Sequence, residues 1–186
     1  KLWVGDGTGT ETVIGAHMLV NAAGLYAQDI GRATAGLDPA TVPAQYFCKG
    51  SYFSLLGRQP FSRLIYPVPS SAGLGVHVNV DMAGQNRFGP DQEWIDSVDY
   101  DVDPARAEVF YEAVRRYWPE LPDGALQPAY AGVRPKVRKP GGHDEDFIVQ
   151  GEEVHGVAGL VNLYGIESLG LTASLALADL VAEKLG

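Results

Sequence analysis

Residues 163 to 186 read LYGIESLGLTASLALADLVAEKLG. An apolar run ends at Gly165, the small and polar stretch Ile166, Glu167, Ser168, Leu169 and Gly170 follows, and a helical period then begins. A plain strand-to-helix connection needs only a turn and a cap. The extra residues point either to a loop whose backbone N–H groups approach a ligand or to an ordinary packed turn. Leu171, Leu175, Ala178, Ala182 and Leu185 predict one buried side on the closing helix, with Ser168 or Thr172 as its cap.

A related pattern stands near the other end. Residues 12–20 predict one strand running into Asn21, Ala22, Ala23 and Gly24, and Leu25 to about Ala35 carry helical spacing that Gly36 and Pro39 stop. A strand end without bulky side chains opens a crevice at the carboxyl edge of a sheet, where α/β proteins place ligands; tight strand–helix packing is the alternative. Between the two ends the period changes to two. Residues 45–56 form an aromatic-rich strand, and Val76, Val78 and Val80 alternate with His77, Asn79 and Asp81. Residues 104–117 predict a helix with Asp103 as N-cap and Pro104 at its first position. ALQPAYAGVRPKVR, residues 125–138, predicts an irregular strand interrupted by its prolines, and FIVQ and GLVNLYG predict two more strands. The fold class is therefore α/β (mixed α+β). Residues 1–44 and 140–186 are expected to build an α/β lobe, and residues 45–139 an antiparallel β-rich lobe.

At 186 residues, 46% hydrophobic and 20% charged, the composition is that of a globular protein. The net charge of −9 repels phosphate backbones, so no nucleic-acid partner is expected. Cys48 is the single cysteine, which rules out an internal disulfide and fits a reducing, cytoplasmic compartment. No apolar run approaches the roughly 18 residues of a membrane span.

Four groups of residues could carry chemistry. GDGTGTE, residues 5–11, lacks the G-x-G-x-x-G spacing and predicts a hairpin turn. Arg134, Lys136, Arg138 and Lys139 crowd together in an acidic chain, either to grip a carboxylate or to protect an edge strand. His77 sits on the polar face of its strand, as a cavity-facing or a structural imidazole. His143, Asp144, Glu145, Asp146, Glu152, Glu153 and His155 show no ligand spacing, so no metal is expected.

Seven motifs occur in order: VNAAGLYA (20–27), KGSYF (49–53), LIYPVP (64–69), GLGVHVN (73–79), FGPD (88–91), AGVRPK (131–136) and NLYGIESLGLTASLALA (162–178). Together they resemble the carboxyl-terminal half of FAD-dependent oxidoreductases of the D-amino-acid oxidase superfamily, with the L-2-hydroxyglutarate dehydrogenase (oxidase) branch nearest in its motifs. The resemblance implies FAD as cofactor, a FAD-binding lobe from the chain ends and a substrate lobe from the middle. It implies that Asn21, Ala22, Ala23 and Gly24 line the flavin on one side. Gly165, Ile166, Glu167, Ser168, Leu169, Gly170, Leu171 and Thr172 line it on the other, with the helix start toward the ring edge where reduced flavin carries negative charge.

The implied reaction is oxidation of a small 2-hydroxy acid such as L-2-hydroxyglutarate. His77 is the expected base, Arg134 and Lys136 the carboxylate grip, and Lys49 and Tyr52 further substrate contacts. An amine oxidase acting on glycine or sarcosine, and a flavin-free scaffold, are the alternatives. Where the family commonly has proline, this chain has Leu169, which is expected to relax the turn and leave the backbone path intact. The strand, G-x-G-x-x-G and helix that grip FAD pyrophosphate are not in this sequence. With Lys1 opening directly into a strand, the chain is expected to be a fragment, inactive alone, whose partners are the missing N-terminal half and a small carboxylate substrate. Loose contact with the inner membrane or a quinone is left open.

Overall fold

The computed structural model describes residues 1–5, 8–9, 11–68, 75–142 and 146–186. In chain order the elements are β1 (Leu2–Gly5), β2 (Glu11–Ile14), β3 (Leu19–Asn21), α1 (Ala27–Ala33), β4 (Tyr46–Leu55), β5 (His77–Val80) and β6 (Asn86–Gly89). There follow β7 (Glu93–Ile95), α2 (Ala107–Arg115), β8 (Leu126–Lys136), β9 (Ile148–Gln150), α3 (Glu152–His155), β10 (Leu160–Tyr164) and α4 (Ser174–Leu185). They divide into two compact units, residues 1–45 with 135–186, and residues 46–134.

In the first unit β3 and β10 run parallel, Val20 opposite Val161, and β9 adds to β10 antiparallel. All five β10 residues are buried, as a strand covered on both faces requires. The expected continuous strand over 12–20 is instead broken between Ile14 and Leu19. Its first part pairs with β1 in a hairpin, whereas the N–H of Leu19 donates to the Gly159 carbonyl at 2.8 Å and starts a different sheet. Alternation of apolar residues reports a strand but not which partner satisfies its backbone.

The closing helix also departs from expectation. Ala173 occupies its N-cap and no side chain caps it, so neither Ser168 nor Thr172 does. No residue of α4 is buried, and Leu171 and Leu175 are 91% and 81% exposed. The expected stripe is split: Ala178, Ala182 and Leu185 border an open groove together with Leu177 and Val181, whereas Leu171 and Leu175 lie off it.

The second unit is a five-stranded antiparallel sheet in the order β5-β6-β4-β7, with β8 also paired to β4. Phe53 stands opposite Phe88, and Phe88 opposite Val78; all three are fully buried. They meet Phe110 and Val114 of α2, with the Phe53 and Phe110 rings 4.6 Å apart. Asp103 accepts from the N–H of Ala105 at 2.9 Å, so the single turn Pro104–Arg106 leads into α2 as the Asp-Pro signal predicts.

β8 is uninterrupted, contrary to expectation. Pro128 is exposed near its start and Pro135 lies one residue before its end, where a missing N–H costs few ladder bonds. Phe53→Ala is expected to lower stability by about 3–5 kcal/mol, the usual cost of emptying an aromatic core position. Urea unfolding monitored by circular dichroism will show this as a lower midpoint at unchanged slope.

Candidate active-site residues in the two units

Strand alternation gives the second unit a core face and an outer face. Val78, Phe88 and Phe53 take the first, and His77, Gly89 and Tyr52 form a row on the second. Gly89 is what makes this row workable. Its φ is +148°, and a Cβ there would come within 2.6 Å of the Tyr52 ring and 2.7 Å of the Ser51 carbonyl. The missing side chain leaves the place into which the Tyr52 ring packs.

Tyr52 stacks on Tyr130, centroids 4.6 Å apart, and the buried His77 packs against the Tyr66 ring at 4.4 Å. Burial raises the Tyr52 hydroxyl pKa, Tyr130 adds to the rise and Arg134 opposes it.

Arg134 owes its position to a second glycine. A Cβ at Gly50 would lie 3.1 and 3.2 Å from the two terminal guanidinium nitrogens and 2.8 Å from Pro90 Cβ. One guanidinium N–H points to Cys48 Sγ at 3.8 Å, and among the described residues no carboxylate pairs with Arg134. The glycines of KGSYF and FGPD are the residues that inspection of the sequence overlooked as functional. A lone glycine inside a strand is the signal for close approach.

Gly50→Ala is expected to push the guanidinium aside and raise KM for a carboxylate substrate about tenfold, with kcat changed less. Steady-state kinetics with the complete enzyme will read this split.

Lys49 belongs to a different environment. It alternates onto the face of Ser51 and Phe53, is 4% exposed, and its Nζ lies 2.6 Å from Asp99 Oδ2. That hydrogen bond is the main cause holding the Asp99 carboxyl below the ordinary range. His77 and Tyr52 thus share the outer face of the sheet with Gly50, against which Arg134 lies, and Lys49 is on the opposite face.

The remaining candidates lie in the first unit. Asn21 donates to Asn162 Oδ1 at 2.9 Å and to the Ala27 carbonyl at 2.8 Å, tying the end of β3 to β10 and to the start of α1. Val20, Ala22, Gly24, Leu163, Ile166 and Gly170 line a groove of about 550 Å³ whose far wall is α4. Gly24, at φ +58°, has open space where a Cβ would stand.

The loop 165–173 is built from tight turns. Gly165 at φ +70° leans on Val137, where a Cβ would come within 3.0 Å, and Gly170 donates to the Glu167 carbonyl at 2.8 Å. Leu169 has φ +73°. Proline is held near −65°, so this backbone path is closed to proline. The substitution changes the turn rather than preserving it. Lys136 forms an ion pair with Glu167, the two side chains being 14% and 17% exposed. His143, Asp144 and Glu145 lie outside the described residues.

A flat, largely apolar ring with a polar edge fits this groove. Its walls are small or aliphatic, and among the described residues the amides of Leu171 and Thr172 donate to no backbone carbonyl just ahead of the uncapped start of α4.

A groove at the carboxyl ends of parallel strands is where cofactor-binding α/β proteins hold their ligands, and a separate antiparallel unit carries an imidazole and an arginine with no carboxylate partner among the described residues. The chain belongs to the FAD dependent oxidoreductase (DAO) family, whose pattern matches residues 2–184. It is 49% identical to the mitochondrial L-2-hydroxyglutarate dehydrogenase of Arabidopsis thaliana, over 90% of this chain and 37% of that protein. It is 30% identical to the glycerol 3-phosphate dehydrogenase of Caloramator mitchellensis, over 90% of this chain and 33% of that one.

The chain therefore spans about a third of the length of these relatives. The fold matches L-alpha-glycerophosphate oxidase from Mycoplasma pneumoniae with FAD bound (TM-score 0.69, 24% identity, 89% of this chain and 42% of the other). It also matches glycine oxidase from Bacillus cereus (TM-score 0.57, 17% identity, 91% and 43%). FAD is the cofactor of the family. No helix among the described residues is long and apolar enough to cross a membrane.

Proposed function

We propose that this chain supplies the substrate grip and part of the flavin wall of an enzyme that oxidises a small 2-hydroxy acid, L-2-hydroxyglutarate or a close analogue, to the 2-oxo acid. The observation that carries this reading is Arg134, half-buried and without a carboxylate partner among the described residues, in the space that Gly50 leaves. The 49% identity to an L-2-hydroxyglutarate dehydrogenase supports the same substrate class.

FAD, when bound, accepts the carbon-bound hydrogen with its electron pair. Arg134 holds the substrate carboxylate through two parallel N–H bonds. His77, on the same sheet face, takes the hydroxyl proton, so the alcohol loses one hydride and one proton and becomes a ketone. Tyr52, its hydroxyl pKa raised by burial, stays protonated and donates a hydrogen bond to the substrate. Lys49, engaged by Asp99, supports its strand.

In the first unit Asn21, Ala22, Ala23 and Gly24 form one wall of the flavin site, and residues 165–172 the other. The pyrophosphate grip comes from a strand, G-x-G-x-x-G and helix outside these 186 residues, and that segment is the partner of this chain. A reducing compartment, with loose contact to a quinone-bearing membrane, belongs to the same proposal.

The test is a substrate panel on the complete, FAD-reconstituted protein. Bleaching of the flavin by a 2-hydroxy acid and not by glycine or sarcosine is the expected result. The reverse pattern makes the enzyme an amine oxidase, and a protein that takes up no FAD makes it a scaffold.

A further inference from the structure

Lys136 and Glu167 are 31 residues apart in sequence and paired in space, both largely withdrawn from water. Glu167 is attached to its loop twice. Its carbonyl accepts from Gly170, closing the turn, and its carboxylate reaches back to the end of β8. Next to it, Gly165 rests on Val137, the residue after Lys136. The ion pair therefore adds to these turns a side-chain tie between loop 165–172 and the β8 end, just ahead of an α4 start that no side chain caps.

Two opposite charges so shielded are weakly screened by solvent. Removing one leaves the other uncompensated. Glutamate alone beside an electron-accepting ring disfavours added negative charge, and lysine alone favours it.

We propose that Lys136 and Glu167 are a matched positioning pair that holds loop 165–172 in place and keeps it electrically neutral beside the flavin, thereby setting the reduction potential of the cofactor. Lys136, which the sequence suggested as a substrate anchor, is thus a positioning residue. The proposal rests on the reading of loop 165–172 as a flavin wall.

The experiment measures the midpoint potential of FAD in the holoenzyme by dye-coupled reduction, for Glu167→Gln, Lys136→Gln and wild type. Glu167→Gln, which leaves the lysine cation, is expected to shift the potential upward. Lys136→Gln, which leaves the carboxylate, is expected to shift it downward. Loosening of the loop alone would move both in one direction, and that result overturns the proposal, as does the absence of any shift. A raised KM for the 2-hydroxy acid in Lys136→Gln at unchanged potential also overturns it, by making Lys136 the substrate anchor.

If a single variant fails to fold, the swapped pair Lys136→Glu with Glu167→Lys keeps both charges and restores the neutral ion pair. A potential at the wild-type value there supports the proposal and a displaced one overturns it. Failure of the underlying reading has a separate signature: wild-type protein that holds no FAD to titrate.

Discussion

Arg134→Ala is expected to lower kcat/KM for the proposed 2-hydroxy-acid substrate by about 100- to 1000-fold, equivalent to roughly 2.7–4 kcal/mol of lost transition-state binding. Most of the loss is expected in KM, because a guanidinium in the proposed role would hold the carboxylate equally in ground state and transition state. The large magnitude follows from the surroundings of the group. Arg134 is half-buried against Gly50 and Cys48, and among the described residues no protein carboxylate competes for it. An anion bound there is shielded from water on the protein side, where a charge-assisted pair is worth far more than at an exposed surface.

Arg134→Lys should recover little of the activity, since an ammonium cannot present two parallel donors and does not fill the planar space beside Gly50. Steady-state kinetics on the complete enzyme check this, with FAD absorbance showing that the cofactor is still bound. Wild-type kcat/KM in Arg134→Ala would remove the carboxylate grip from this position.

His77→Ala produces the second large effect, a fall of about 10²–10⁴ in the rate of flavin reduction at saturating substrate, with KM little changed. The split is opposite to that of Arg134 because a base acts in the transition state, whereas a grip acts throughout. The imidazole lies in the row His77, Gly89, Tyr52, with the Tyr66 ring against it at 4.4 Å. Truncation therefore opens a small hole lined by rings. Added imidazole should enter that hole and restore part of the rate in His77→Ala, which a purely structural histidine would not allow. Stopped-flow bleaching of the flavin, with and without imidazole, makes the measurement. An unchanged reduction rate would assign proton removal elsewhere.

Much of the fold was legible in the amino-acid order because its signals are local. The alternation of Val76 and Val78 with His77 and Asn79 specifies the two faces of β5, and the Asp-Pro pair at 103–104 specifies the start of α2. The apolar run 160–164 specifies a strand buried on both faces. Each depends on neighbours within one turn or one pleat, where the period of the backbone alone dictates the geometry. His77, Tyr52 and Arg134 could likewise be named as candidates from residue type and strand position.

What surrounds those residues was not legible. Lys49 and Lys136 are formally as cationic as Arg134. Asp99, 50 residues from the first, and Glu167, 31 residues from the second, pair with them, while no described carboxylate pairs with Arg134. The stripe on α4 was visible by its period, but a period states which side is apolar and not what covers it. Ala178, Ala182 and Leu185 line an open groove, while Leu171 and Leu175 face away from it. Leu169 carries no local mark of its φ of +73°, a conformation disfavoured for a leucine and set by the turn that Glu167 and Gly170 close.

The sequence by itself thus determined which segments become strands and helices, which faces are apolar and which residue types are available for chemistry. Only the tertiary structure decided which of three cations is left without a carboxylate, and that Gly50 and Gly89 are vacant for the sake of Arg134 and Tyr52. The physical reason is range: hydrogen-bond periods act over a few residues, whereas charge pairing and steric vacancy depend on chain segments that only folding brings together.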